Sequence, residues 1–293
     1  MPAALETPLL FAGEAGTFQS FPEWLANLIS LQSPVGVFDS GVGGLPIARA
    51  IRDMLPAENL LYVADSGYAP YGAKTDAQVL SRTMAVCDFL VSKQVKAIAV
   101  ACNTATTSCI ATLRERYSLP IIGVEPGVKP AVLGSRTGVI GVLATPRTLE
   151  TESFSALATK VAGHVKVELM PCPDLVAQVE SLRLSHDEAV EVVARYVLPL
   201  LEKNADTIVL GCTHYVHLKA VISDIAGPGI KVISTEDAVA REVKRRLEVS
   251  GLLSVGAGLS QFWSSGEIEH YQRQIDTLWG KGEVVLPMRE SIG

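Results

Sequence analysis

Short apolar segments of the β type alternate with longer helical patterns from residue 35 onward, and this alternation constrains the fold more than any other feature of the chain. Most of the segments lack a strict alternation of apolar and polar residues, which is typical of buried parallel strands. They cover residues 35–38, 60–64, 96–101, 120–124, 137–145, 164–170, 206–211 and 230–234. Helical patterns separate them, for example at 45–54, 76–93 and 105–117. We therefore predict an α/β protein with mainly parallel sheets.

The strand pattern occurs twice, which predicts two similar halves. When residues 35–40 are laid on residues 139–145, Cys102 falls near Cys212, because 63 positions separate Asp39 from Cys102 and 67 separate Thr145 from Cys212. A chain of 293 residues is long enough for two domains. The predicted units are an N-terminal arm at 1–33, a first α/β domain at 34–127 plus 235–293 that includes a C-terminal helix, and a second α/β domain at 128–234.

Charge and composition exclude several classes of function. The net charge is −6, the sequence pI is near 5.5 and no block of Lys or Arg stands out, which argues against nucleic acid or membrane as a partner and favours a small-molecule ligand. The first 48 residues contain no Lys or Arg, unlike a secretory or transit peptide. Five widely spaced cysteines without a Cys-x-x-Cys pair fit neither a disulfide framework nor a zinc site. We expect a cytoplasmic protein without a bound metal.

Two cysteines stand at the ends of predicted strands, immediately before helical patterns, in the phrases 102-CNT-104 and 212-CTH-214. In open parallel sheets, ligands bind beyond the carboxyl ends of the strands. A thiol at a helix start ionises more readily, because the backbone N–H groups and the helix dipole favour negative charge there. The alternative for each cysteine is a small buried apolar residue. The match between the two phrases favours function, whereas packing is expected for Cys87, Cys109 and Cys172.

Other polar groups follow the predicted strands. The loop 39-DSGVGG-44 does not complete a dinucleotide-binding pattern, because Pro46 stands where a glycine is required. Its glycines can expose N–H groups to a carboxylate, although Asp39 can equally cap the next helix. The turn 69-APYG-72 offers the Tyr71 hydroxyl and backbone donors to a ligand. His214 can also be a core or capping histidine, and Glu180 a solvated charge on a helix face.

Two thiols in equivalent positions of facing halves suit inversion at a tetrahedral carbon. One thiolate removes a proton from one face of the carbon, and the S–H group of the other thiol returns a proton to the opposite face. Because the reaction runs in both directions, each thiol needs a neighbour that can handle a proton. Asp39 and His214 are the candidates, one for each half. A cysteine hydrolase would instead need one thiol with a histidine and an orienting group.

Five phrases resemble the glutamate racemase family, which belongs to the cofactor-independent aspartate/glutamate racemase superfamily. They are 35-VGVFDSGVGGL-45, 70-PYG-72, 99-AVACNTAT-106, 122-IGVEPGVKPA-131 and 206-DTIVLGCTHY-215. The resemblance implies two α/β sandwich domains with the active site in the cleft between them, and interconversion of L- and D-glutamate that supplies D-glutamate for peptidoglycan. It assigns Cys102 and Cys212 as the catalytic acid/bases, with Asp39 and His214 assisting. It further implies a homodimer, no cofactor, and activation of some members by UDP-N-acetylmuramoyl-L-alanine.

The same resemblance predicts the substrate-binding residues, most of which are neutral donors at loop and helix starts. They are Asp39, Ser40, Tyr71, Gly72, Asn103, Thr104, Thr145, Thr148, Thr213 and His214, with Glu180 as an additional acidic residue. Three positions depart from the family pattern, because Val216 and His217 replace Pro and an apolar residue and Arg147 replaces Gly. If they spoil the site, the alternative is a non-catalytic ligand-binding protein on the same scaffold. A racemase of aspartate or another amino acid is the other alternative, since pocket size sets that choice.

Overall fold

The computed structural model describes residues 29–289, and within this range two parallel β-sheets form the framework of the protein. The strands, in chain order, are β1 (Val35–Asp39), β2 (Leu60–Ala64), β3 (Ala97–Val100), β4 (Ile121–Gly123), β5 (Val139–Ala144), β6 (Lys166–Pro171), β7 (Thr207–Leu210), β8 (Lys231–Ile233), β9 (Ser260–Ser264) and β10 (Val285–Pro287). The helices are α1 (Leu45–Met54), α2 (Asp76–Ser92), α3 (Asn103–Arg116), α4 (Val128–Gly134), α5 (Pro146–Glu150), α6 (Glu152–Ala162), α7 (Asp174–Glu180), α8 (His186–Glu202), α9 (Lys219–Ala226), α10 (Glu236–Val249) and α11 (Ile268–Leu278). Short 3-10 helices span Ser66–Tyr68, Tyr71–Ala73 and Thr213–Leu218. Among the described residues, no helix is both long enough and apolar enough to cross a bilayer.

The two sheets share one strand order. The first sheet has the order β10-β9-β2-β1-β3-β4 and the second has the order β6-β5-β7-β8, with all neighbouring strands parallel. If β1 is matched to β5, the order β2-β1-β3-β4 becomes equivalent to β6-β5-β7-β8. The strand before Cys102 then corresponds to the strand before Cys212. This confirms the predicted α/β class with two similar parallel sheets, whereas the bounds of the domains stay a prediction.

The register of the strands brings the polar phrases together. In the first sheet β1 lies beside β3, with Phe38 paired to Val100. In the second sheet β5 lies beside β7, with Leu143 paired to Leu210. Because parallel strands end at the same edge of a sheet, the residues that follow β1 and β3 are neighbours, and so are those that follow β5 and β7.

Helices cover both faces of each sheet. Helices α1 and α10 lie on one face of the first sheet and α2 and α3 on the other, while α7, α8 and α9 lie on one face of the second sheet and α4 and α6 on the other. One apolar core joins the halves, since Val37, Leu143, Val193 and Val239 all belong to it. Burial of apolar surface is the dominant favourable contribution to folding, so this shared core holds the two sheets together.

The residues after α10 return to the first sheet. No strand was predicted beyond residue 234, yet β9 pairs with β2 and β10 pairs with β9. The prediction missed them because β9 and the edge strand β10 are short, and Phe262 and Val285 are buried among polar or exposed neighbours. The predicted N-terminal arm at 1–33 lies almost wholly outside the described residues.

Candidate active site

The polar phrases after the strands lie at two sheet edges that face each other. Thr104 at the start of α3 lies 3.2 Å from Thr145 after β5, measured between the two Oγ1 atoms. The backbone N–H of Val42 donates to Oε1 of Glu180 at 3.0 Å. These contacts connect the loops of the first sheet directly to elements of the second sheet. The structure therefore brings the predicted site residues of both halves into one region.

Cys102 is the N-cap residue of α3 and is 5% exposed. Its thiol donates to Oγ of Ser40, at 3.8 Å between the sulfur and the oxygen. Burial raises the pKa of the Cys102 thiol well above its usual range, and the charge of Asp39 raises it further, followed by a smaller effect of Cys212. This direction is opposite to the one expected from the helix start, because loss of solvation outweighs the favourable helix end.

Cys212 stands at the head of a buried hydrogen-bonded chain. Its Sγ lies 3.8 Å from Nδ1 of His214, and Nε2 of His214 lies 2.7 Å from Oε1 of Glu180. Burial lowers the pKa of His214, but the bonds to Cys212 and Glu180 outweigh burial and raise it well above its ordinary value. Burial likewise raises the pKa of Glu180, but the bond and charge of His214, together with the bonds from Val42 and Gln274, outweigh burial and lower it. Both directions favour an imidazolium paired with a carboxylate, so Glu180 is not a solvated helix charge.

Asp39 is fully buried at the end of β1. Its Oδ2 accepts the backbone N–H of Gly44, the N-cap residue of α1, at 2.7 Å. Its Oδ1 has no hydrogen-bond partner among the described residues. Burial raises the pKa of Asp39, although the nearby His214 opposes the increase. A carboxyl group with one free oxygen beside the Cys102 thiol can therefore hold or release a proton.

The glycines after Asp39 leave room for the chain at Cys212. A Cβ atom on Gly41 would lie 1.9 Å from Oε1 of Glu180, and one on Gly43 would lie 2.2 Å from Nδ1 of His214. Neither distance is compatible with a real side chain. The glycines let the second half pack directly against the backbone of this loop, and the loop N–H of Val42 donates to the carboxylate of Glu180.

Three threonine hydroxyl groups form a buried triangle across the two halves. The Oγ1 atom of Thr104 lies 3.2 Å from those of Thr145 and Thr148, which lie 2.9 Å from each other. Thr145 also caps α5, since its Oγ1 accepts the N–H of Thr148. A hydroxyl group can donate or accept, so the triangle can turn its hydrogens toward an anion. Asn103 and Thr213 are buried nearby in the chain, at the first residue after each cysteine.

The hydroxyl group of Tyr71 is already engaged within the first half. It donates to Oδ2 of Asp65 at 2.6 Å, and Arg82 forms an ion pair with the same carboxylate. The predicted role of this hydroxyl as a ligand donor is therefore unsupported, because its hydrogen points to Asp65. The neighbouring Gly72 would place a Cβ atom 3.1 Å from Cβ of Thr145, so the backbone at this turn approaches the opposite half closely.

The three departures from the family pattern have partners of their own. His217 lies with Nε2 at 3.1 Å from the carbonyl oxygen of Val42, and Val216 packs against the shared apolar core. Arg147 forms an ion pair with Asp76 at the start of α2, which joins the two halves at the surface. These contacts account for all three residues as packing and bridging groups.

One residue that supports the site was not identified from the sequence. Gln274 on α11 is fully buried and hydrogen-bonded to Glu180. The spacing of Ile268, Tyr271 and Ile275 is typical of an amphipathic helix and could have revealed that α11 has a buried face. Within residues 29–289, no group of three or more His, Cys, Asp or Glu side chains is arranged to hold a metal ion.

The chain is similar to known racemases in sequence and in structure. The family model of Asp/Glu/Hydantoin racemase matches residues 46–243. Glutamate racemase from Methylococcus capsulatus is 48% identical over 259 residues, which cover 88% of this chain and 96% of that protein. The crystal structure of glutamate racemase isoform RacE1 from Bacillus anthracis superposes with a TM-score of 0.81 at 31% identity, over 88% of this chain and 97% of that one.

A second solved structure carries bound molecules. Escherichia coli glutamate racemase, crystallised with L-glutamate and the activator UDP-MurNAc-Ala, superposes with a TM-score of 0.78 at 27% identity and covers 89% of this chain and 100% of that one. The family model matches most of the chain. Two glutamate racemases with similar sequences align with this chain over 96% and 93% of their own length. With two cysteine-bearing strand ends at equivalent positions of its two sheets, the chain belongs to the glutamate racemase family.

Proposed function

We propose that the protein interconverts L- and D-glutamate by proton transfer at the α-carbon between Cys102 and Cys212, and that it supplies D-glutamate for peptidoglycan. The observation that carries the proposal is the placement of the two thiols at equivalent strand ends of facing sheets, each beside a group that can handle a proton. The names of the sequence relatives and of the aligned structures support glutamate as the substrate.

The chemistry breaks one bond and forms another of the same kind. A thiolate takes the α-hydrogen as a proton, the electron pair stays on the α-carbon, and the S–H group of the opposite thiol protonates that carbon from the other face. On one side, a proton on Cys212 can exchange with His214, whose imidazolium is held by Glu180. On the other side, the buried carboxyl of Asp39 can exchange a proton with Cys102.

The substrate would be bound by neutral donors at strand ends. In this proposal the hydroxyl triangle of Thr104, Thr145 and Thr148 binds a carboxylate, and Ser40 and Asn103 donate close to the Cys102 thiol. Hydrogen bonds from neutral donors to a carboxylate are strong when the site is buried. The contribution of Tyr71 and Gly72 would come from their backbone N–H groups, since the Tyr71 hydroxyl donates to Asp65.

The test follows optical activity and α-deuterium uptake in D2O with L-glutamate and, separately, D-glutamate. We expect loss of optical activity with incorporation of one solvent deuterium, and a decrease of about 10²–10⁴-fold in kcat/KM for Cys102→Ala and for Cys212→Ala. Cys109→Ala, on the same helix as Cys102 and equally buried, is the matched control and should retain activity. Near-normal racemisation by either of the first two variants would overturn the two-thiol assignment.

The same assay separates the alternatives. If the protein racemises aspartate but not glutamate, its substrate is aspartate. If it turns over no amino acid, the alternative of a non-catalytic ligand-binding protein is favoured. The positions that raised this second alternative, Arg147, Val216 and His217, all have partners in the structure.

Activation and assembly belong to the proposal as well. The activator bound to the Escherichia coli relative supports a test of UDP-N-acetylmuramoyl-L-alanine, which we propose raises kcat/KM here. Assays with and without that nucleotide decide the point, and unchanged kinetics at saturating nucleotide would reject activation. The homodimer implied by the family stays a prediction, which sedimentation equilibrium of the full chain would test.

A further inference from the structure

Gln274 is the innermost polar residue of α11 and is fully buried. Its Nε2 atom donates to the backbone carbonyl oxygen of Glu180 at 2.7 Å and to Oε2 of the same residue at 3.0 Å. One side-chain amide therefore contacts both the main chain and the carboxylate of a single residue. This contact connects α11 to the hydrogen-bonded series formed by Cys212, His214 and Glu180.

Only a donor fits this position. The carbonyl oxygen and the carboxylate of Glu180 can only accept hydrogen bonds, and the NH2 group of a glutamine has two hydrogens to give. The other carboxylate oxygen, Oε1, is taken by His214 at 2.7 Å and by the N–H of Val42 at 3.0 Å. With both oxygens engaged, the carboxylate cannot rotate away from the imidazole without breaking a bond.

We infer that Gln274 is a positioning residue for racemisation, which fixes Glu180 and thereby aligns His214 with Cys212. The inference rests on the proposed function, because it assigns Gln274 to the Cys212 side of a two-thiol reaction. Gln274 touches neither thiol, so its effect passes through Glu180. The bond from Gln274 also helps to lower the pKa of Glu180, in the same direction as the bond from His214.

The primary test replaces Gln274 with methionine, which keeps the volume and removes both donors. We expect kcat/KM of Gln274→Met to fall about 10-fold, as for the loss of one hydrogen bond to a charged group. The matched control is Gln272→Met on the same helix. Gln272 donates to Asp276 and to the carbonyl oxygen of Glu283 and accepts from Val285, so this variant also loses partly buried side-chain hydrogen bonds but none at Glu180.

Isotope effects separate positioning from general destabilisation. L- and D-glutamate have equal free energies in water, so kcat/KM must fall equally in both directions for any variant. The α-deuterium isotope effect need not do so. If Gln274→Met slows only proton transfer at Cys212, the effect rises for the enantiomer that Cys212 deprotonates and falls for the enantiomer that Cys102 deprotonates. A fold defect, or the Gln272→Met control, leaves both isotope effects unchanged.

A second variant, Gln274→Glu, keeps the inference testable if the methionine variant is unstable. Its carboxylic acid can donate to Glu180 when protonated and repels Glu180 when ionised. The ratio of variant to wild-type kcat/KM should therefore fall as pH rises. A ratio independent of pH, or isotope effects equal to those of the wild type, would overturn the role of Gln274. Full activity of Cys212→Ala would instead refute the proposed function itself, whatever the result at Gln274.

Discussion

Replacing Gly43 with alanine tests the idea that the glycine loop exists to admit His214. Gly43 is not among the residues with positive φ, so alanine can adopt its backbone conformation and the effect is one of space. The new Cβ atom would lie 2.2 Å from Nδ1, 2.6 Å from Cε1 and 2.7 Å from Cγ of the His214 ring. Three ring atoms are involved, so the ring as a whole must move to relieve the overlap.

The size of the effect follows from these distances. To reach an ordinary contact of 3.4 Å, the ring must move by about 1.2 Å. Such a displacement alters its distances of 3.8 Å to Cys212 and 2.7 Å to Glu180. A misplacement of about 1 Å can reduce catalysis about 100-fold, which corresponds to ~2.7 kcal/mol of transition-state stabilisation. Overpacking should also lower the free energy of unfolding by about 1–3 kcal/mol.

The assay is racemisation of glutamate followed by circular dichroism, with urea unfolding measured on the same preparations. Gly229→Ala is the matched control, because a Cβ atom there would meet nothing within 4 Å. We expect it to behave as the wild type. If Gly43→Ala retained kcat/KM within about twofold of wild type while folded, the loop would not be positioned by contact with His214 and this reasoning would be wrong.

Three further outcomes are expected. Arg147→Gly should change the free energy of unfolding by less than ~1 kcal/mol, because its ion pair with Asp76 is partly exposed. The ion pair lowers the pKa of Asp76, so its contribution to stability is present above pH 3.8 and is lost as pH falls through the lowered pKa. Urea titrations at pH 7 and pH 3 would show this difference. Burial lowers the pKa of His217 to about 4, so the neutral histidine contributes stability above pH 6.5 that is lost as pH falls toward 4. His217→Gln should reduce this loss of stability by at most ~3 kcal/mol, measured by urea unfolding between pH 6.5 and 4. An unaltered pH profile of stability would contradict the prediction. Thr148→Val should raise KM for glutamate about 10-fold with a smaller effect on kcat, and an unchanged KM would remove the hydroxyl triangle from substrate binding.

The sequence was sufficient to predict the two parallel sheets of the protein, because buried parallel strands are recognisable as continuous apolar runs. All eight predicted segments overlap a strand of the structure, and the two cysteine phrases lie at the predicted strand ends. Strands β9 and β10 were not predicted, since Phe262 in β9 has mostly polar neighbours and Val285 is the only buried residue of the three-residue strand β10. A continuous apolar run indicates burial on both faces of a strand, and Ser260–Ser264 does not have one.

The candidate site was harder to predict than the fold. Asp39, His214 and the two thiols were predicted from their positions after strands, but the raised pKa of the Cys102 thiol was not, because desolvation depends on neighbours that come from distant parts of the chain. The same applies to Tyr71, whose hydroxyl donates to Asp65, and to Gln274, whose partner lies 94 positions away. Sequence patterns indicate which residues are polar and where they stand, whereas three-dimensional contacts decide which hydrogen bonds they make.

The pairing of β9 with β2 has a consequence for the order in which the protein is made. Leu60 pairs with Ser260, so β2 emerges 200 residues before its partner. At about 5–20 residues per second, a ribosome needs ~10–40 s to supply that partner. During this time the edge of β2 is unpaired and open to wrong associations. Helix α11 and its contact with Glu180 come later still, so the protein completes the support of its candidate site only when almost all of the described chain has been synthesised.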